Sequence, residues 1–256
     1  MLTLRNHIPI SAPARREPTD GTESAMRVSL GFEPAWFHER CGVDFSEQWH
    51  TEPVYRHESL VAMKRELHHV YPDVSYWSPA DDTDTWTLSG CYGAYVVPLV
   101  FGCRLGYASN RWPMIVERPR RDLSEWASVH PDDLLCGPAI NELHRQMDVI
   151  AARAHVIHGY LNWQGVLNNA FNIYGQDVCM AMVDSPEELH RFLSLICEVM
   201  IRLVQMVQGR QRASRVWNNA ELCANDRTIG AFLRIMTLSG YLSGDGPLAL
   251  YADGHS

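Results

Sequence analysis

The sequence predicts an α/β fold in which helices alternate with short strands. Two observations indicate this. Several segments repeat their apolar residues every three to four positions, which is typical of amphipathic helices, and short apolar runs between them are typical of buried strands. The chain has 256 residues and is 46% hydrophobic, enough for a sizeable core in one large or two small domains. Strands that alternate with helices favour a parallel sheet.

The first elements are predicted from the N-terminal third. Residues 1–27 are expected to be a disordered lead-in, because this stretch includes a polar segment with two prolines. From Phe32 to Asp44 the sequence predicts a loop-like entry. A helix is then predicted from Pro53 to His69, since proline suits a first helical turn and Tyr71-Pro72 ends the apolar spacing.

Two short strands and a glycine-rich turn are predicted next. Thr85–Leu88 and Met114–Glu117 have the composition of strands. Gly90-Cys91-Tyr92-Gly93 follows the first strand directly. Such glycines indicate a tight turn or close backbone approach, both common at binding sites. A simple turn into a short buried helix over 96–102 is an equally good interpretation.

The C-terminal half contains the clearest helical signals. Ile140–Ala154 is amphipathic, and a strand is predicted over His155–Leu161. Ser185 then offers an N-cap before proline and glutamate, which predicts a helix to about Gln211 whose methionine and phenylalanine stripe belongs to the core. A further strand is predicted over 214–217.

A cluster of amides stands where the helix after strand 155–161 should begin. Asn162, Trp163, Gln164, Asn168 and Asn169 are costly as core residues, because each buried amide needs partners. They suit the rim of a pocket at the carboxyl end of a strand, where the indole offers a stacking face and the amides offer neutral hydrogen bonds. The alternative is a hydrogen-bonded plug.

Composition excludes several classes of function. The net charge of −8 argues against a nucleic-acid partner, which would need a basic surface. No run of about 18 apolar residues predicts a membrane span, and the N-terminus lacks the apolar core of a signal peptide. Seven scattered cysteines without close pairs fit free thiols in a reducing cytoplasm. The twelve histidines form no obvious ligand set, so neither a metal nor another cofactor is predicted.

Several segments resemble, in family order, uroporphyrinogen decarboxylase-like proteins of the divergent bacterial branch. They are 41–56, 61–67, 90–102, 159–170 and the helix start 184–191. The resemblance covers about residues 30 to 220. It implies a distorted (β/α)8 barrel of TIM type with a pocket at the carboxyl ends of its strands. It also implies an acidic tetrapyrrole held by arginines and a cleft aspartate, without metal or organic cofactor.

The family's charged site residues match this sequence poorly. The arginine-rich loop falls on residues 39–43, where only Arg40 could substitute, and the aspartate position falls on Gly93. The family tyrosine falls near Asn169-Ala170. We therefore expect a neutral pocket that is not that of a true haem-pathway decarboxylase. The expected substrate-binding residues are Arg40, Tyr92, Asn162, Trp163, Gln164, Asn168 and Asn169.

The chain is also expected to be C-terminally truncated. Residues 218–256 are too few to complete a barrel of about 250 residues, and 224–256 diverge from the family. The predicted organisation is a lead-in (1–27), an incomplete barrel (28–223) and a divergent tail (224–256). Two alternatives stay open: a catalytically inactive fragment, and a remnant of a corrinoid-dependent methyltransferase-like protein. The expected ligand is a small or tetrapyrrole-like molecule, and a homodimer is compatible with the resemblance.

Overall fold

The computed structural model describes residues 32–72, 85–159 and 161–214. Within them the chain is a helix-rich mixture of helices and one small sheet. The helices are α1 (Pro34–Cys41), α2 (Glu47–Thr51), α3 (Pro53–Val70), α4 (Val96–Val100), α5 (Leu123–Trp126), α6 (Pro131–Leu135), α7 (Pro138–Ala154), α8 (Val166–Tyr174), α9 (Asp177–Asp184) and α10 (Pro186–Ser214). The strands are β1 (Arg104–Ala108) and β2 (Arg111–Glu117).

The sheet differs from the predicted parallel one. Strands β1 and β2 form an antiparallel hairpin, with Leu105 opposite Ile115. The strand predicted at Met114–Glu117 is confirmed as part of β2. The described residues show no closed barrel, and the strands predicted at 85–88 and 155–161 are reduced to one parallel bridge between Thr87 and His158. Each segment leaves the extended conformation at once, because Gly90 and Gly159 adopt positive φ.

The larger core is organised around α10. This helix buries Phe192, Ile196, Met200 and Leu203 and packs against α4, α5, α6, α8 and α9. The predicted apolar stripe is therefore confirmed as core. By length and composition alone α10 could cross a membrane, with a mean hydropathy of 1.4 in its most apolar window. Its apolar face packs against these other helices, as a core helix does.

A smaller core joins α1, α2 and α3. Phe37, Phe45, Trp49 and Leu67 pack together there. The loop-like entry predicted for 32–44 is wrong, because α1 lies within it. Its first turn contains Pro34, and Gly42 (φ 68°) ends it by donating its N–H to the carbonyl of His38.

The remaining predictions of helices are largely confirmed. Helix α3 begins at Pro53 as expected, and α7 buries Ile140, Leu143, Met147 and Ile150 on one face. The apolar run after Gly93 forms the short buried helix α4. The strand predicted over 214–217 is wrong at its first residue, because Ser214 is the last residue of α10. Residues 215–217 lie outside the described residues, as do the predicted lead-in (1–27) and tail (224–256).

Candidate functional site

The bridge between Thr87 and His158 aligns the two segments, 85–93 and 155–169, in which the sequence analysis predicted binding residues. The segments run parallel, and the N–H of Leu88 donates to the carbonyl of His158 at 3.0 Å. The residues that follow each segment, 89–93 and 161–169, therefore leave the bridge at the same edge. Contact here is close: a Cβ on Gly159 would lie 2.6 Å from Ser89 Oγ.

Tyr92 is held in a strained conformation at this edge. Its φ is 57°, a region that costs free energy for a residue with a side chain and that is often found at functional sites. The Tyr92 N–H donates to His50 Nδ1 at 3.0 Å, and its hydroxyl accepts from Gln146 Nε2 at 2.7 Å. Burial raises the pKa of the Tyr92 hydroxyl. We call His50, Arg56, Tyr92 and Gln146 the turn cluster.

Arg56 is a buried residue of the turn cluster that sequence analysis missed. Its Nε donates to the carbonyl of Thr87 at 3.1 Å, and its Nη1 donates to those of Trp49 and His50 at 3.2 and 3.3 Å. The guanidinium thus ties α2 to the start of the bridge. One signal could have found it: Arg56 lies three helical turns before Leu67, on the same buried face of α3.

His50 is buried and neutral near pH 7. Burial, and to a lesser extent the positive charge of Arg56, lower the pKa of His50 to about 4, while the carbonyls of Phe45 and Gly90 act in the opposite direction. Since Nδ1 accepts the Tyr92 N–H, we assign the ring proton to Nε2. His50 also stacks near Tyr92, with 6.4 Å between ring centroids.

The amide segment has an accessible part. Asn162, Gln164 and Asn168 are half-buried. Asn162 Oδ1 accepts the Gln164 N–H at 3.3 Å, and Gln164 Oε1 accepts from Asn172 Nδ2 at 3.0 Å. Gln164 also has positive φ, 51°. Each of the two segments that leave the bridge therefore carries one strained residue with a side chain.

The other part of the amide segment is core. Trp163 is 2% exposed, so its ring packs inside the protein. Asn169 is fully buried, and its Nδ2 donates to the carbonyls of Trp163 and Gly165 at 2.8 and 3.1 Å. These bonds close the start of α8, much as the alternative of a hydrogen-bonded plug described. Asn169 Oδ1 has no partner among the described residues.

Arg40 is placed on the surface of α1. Its guanidinium pairs with Glu66 at 2.7 Å and lies over the ring of Trp36. In the described ranges no group of three or more histidine, cysteine or acidic residues could hold a metal ion. The structure therefore brings Tyr92 and the amide segment to one edge through the bridge, and shows Arg40 engaged with other partners.

Comparisons with known proteins identify no family for this chain. No family profile matches it, and no curated protein is similar in sequence. Among solved structures, a methyltransferase from Methanosarcina mazei is similar over 70% of this chain and 48% of its own, with 15% identity and a TM-score of 0.43. The chain thus spans about half of that structure's length. Neither an activity nor a substrate follows from a likeness this distant.

Proposed function

We propose that the chain is a uroporphyrinogen decarboxylase-like protein that binds a small or tetrapyrrole-like molecule at the edge beyond the Thr87–His158 bridge. The observation that carries the proposal is the parallel bridge itself, because it directs the turn at Tyr92 and the amide segment to one edge. Ligands of α/β proteins commonly bind where parallel segments end. The sequence resemblance supplies the family.

The chemistry of this edge favours binding over decarboxylation. The half-buried side chains Asn162, Gln164 and Asn168 offer neutral hydrogen bonds that orient a ligand without stabilising a developing charge. Gly93 occupies the position that the resemblance gives to a cleft aspartate. We propose that the protein acts in the cytoplasm, needs no metal or organic cofactor, and is not a haem-pathway decarboxylase.

A binding assay paired with a turnover assay tests this function. We expect uroporphyrin to quench tryptophan fluorescence saturably, without release of coproporphyrin from uroporphyrinogen. Gln164→Ala should weaken binding about fivefold, the value of one neutral hydrogen bond. Asn141→Ala, at an exposed position of α7, is the matched control. Absence of saturable binding, or equal affinities for both variants, would contradict the proposal.

A catalytically inactive binding protein is the second candidate. It is favoured by the burial of Trp163 and Asn169 in the core, because neither side chain is then accessible to make its predicted ligand contact. The remnant of a corrinoid-dependent methyltransferase-like protein is weaker, because no His-x-Cys motif occurs in the sequence to bind zinc. Turnover of uroporphyrinogen would exclude the inactive candidate and would also contradict the proposal that the protein is not a haem-pathway decarboxylase.

A further inference from the structure

Three buried donors, two in the turn cluster and one next to it, have no acceptor among the described residues. They are Trp49 Nε1, His50 Nε2 and Arg56 Nη2, each without a hydrogen-bond partner among the described residues. The three residues are neighbours: Arg56 Nη1 donates to the carbonyls of both Trp49 and His50, and the two rings lie 5.0 Å apart. Unsatisfied buried donors are rare in proteins, and these three, on neighbouring residues, are available to an acceptor that binds beside them.

The charge of Arg56 requires compensation. Arg56 is 0% exposed and forms no ion pair within the part of the chain that the structure describes. Its three carbonyl partners supply dipoles but no net negative charge. The nearby acids Glu52 and Glu142 both pair with Arg145, and neither forms an ion pair with Arg56. A buried charge without a counter-charge costs several kcal/mol, so an anion next to Nη2 would stabilise the site.

We propose that Arg56, His50 and Trp49 form a binding site for a monocarboxylate. One carboxylate oxygen would accept from Arg56 Nη2 and the other from His50 Nε2–H, with the Trp49 N–H as a third donor. Since His50 is neutral, the site carries one positive charge, which matches one carboxylate. This site goes beyond the proposed function, because it uses none of the amide segment.

The surroundings of the site indicate the rest of the ligand. Aromatic rings surround His50 and Trp49: Phe45 lies 5.1 Å from Trp49, Tyr107 lies 5.3 Å from His50 and Trp112 lies 5.8 Å from Trp49, between centroids. Trp112 is 37% exposed, so this wall of the site faces solvent. An apolar or aromatic body attached to the carboxylate would pack against these rings. We therefore infer an aromatic monocarboxylate as the ligand class.

Calorimetric titration of the full chain with benzoate, acetate and inorganic phosphate tests the site. We expect one equivalent of benzoate to bind, more tightly than acetate, with phosphate weakest. Trp49→Phe keeps an aromatic ring but removes the indole N–H, and should weaken benzoate binding about threefold. His50→Asn keeps an acceptor for Tyr92 but loses the Nε2 donor, and should weaken it about tenfold. Arg56→Gln should abolish it, and the other two variants keep the test valid if this one does not fold.

Trp126→Phe is the matched control. Trp126 is also a buried indole whose Nε1 has no partner among the described residues, but it belongs to the core around α10. Its substitution should leave benzoate binding unchanged. The proposal is overturned if benzoate does not bind, if phosphate binds more tightly, or if Trp49→Phe and His50→Asn bind benzoate as well as the wild type. Gln164→Ala should not affect benzoate, which separates this site from the proposed function.

Discussion

Acidification should weaken the fold through His50. Burial and Arg56 lower the pKa of His50 from 6.5 to about 4, so the unfolded chain takes up a proton that the folded chain resists. The contribution to the free energy of unfolding is fully present above pH 6.5 and is lost as pH falls to about 4. At about 1.4 kcal/mol for each pH unit, the lowering corresponds to about 3 kcal/mol.

Urea unfolding followed by circular dichroism at pH 7, 6, 5 and 4 measures this effect. Carboxylates also titrate in this range, so the informative quantity is the difference between the wild type and His50→Asn. That difference should shrink by about 3 kcal/mol between pH 7 and pH 4. His190→Asn, at an exposed position of α10, should show the wild-type profile. Parallel profiles for the wild type and His50→Asn would refute the reasoning.

Four further substitutions test the packing by urea unfolding. Gly159→Ala should destabilise the fold by about 3 kcal/mol or more, because φ is 87° and the new Cβ would lie 2.8 Å from the Ser89 nitrogen. Gly209→Ala in α10, with nothing within 4 Å, should be neutral or stabilise by up to about 1 kcal/mol; a similar loss for both would contradict the packing at the bridge. Asn169→Ala should cost about 2 kcal/mol by removing two buried hydrogen bonds, and a neutral result would argue against its role at the start of α8. Glu117→Gln, at an exposed ion pair, should change stability by less than about 0.5 kcal/mol, and a larger loss would show that the hairpin depends on it.

The long helices could be predicted because their signals are local. Helices α3, α7 and α10 combine proline at the first turn with apolar residues at helical spacing, and both features act within a few residues. Helix α1 has only 8 residues and buries only Pro34 and Phe37, so its periodicity was too weak to distinguish from a loop. Long helices with a capping signal and an apolar face can therefore be predicted from sequence, while helices of one or two turns cannot.

The strands and the site depended on contacts distant in sequence. The composition of 85–88 and the apolar residues within 155–161 predicted strands, but among the described residues of these two segments only Thr87 and His158 form a bridge. Residue type alone could not show that the Asn169 amide is buried and donates to carbonyls of its own segment, while Gln164 is half-buried. Arg56 was missed for the same reason, since its acceptors are the carbonyls of α2 and of Thr87, up to 31 residues away.

The position of α10 in the chain has a consequence for folding during synthesis. This helix is the last described element, yet it forms the common wall of the core against α4, α5, α6, α8 and α9. Those helices leave the ribosome first and cannot cover their apolar faces until Pro186–Ser214 has emerged. The α1–α3 unit, with a core of its own, has no such delay. The growing chain should thus pass through a stage with an ordered N-terminal part and an exposed apolar middle, the kind of species that chaperones bind.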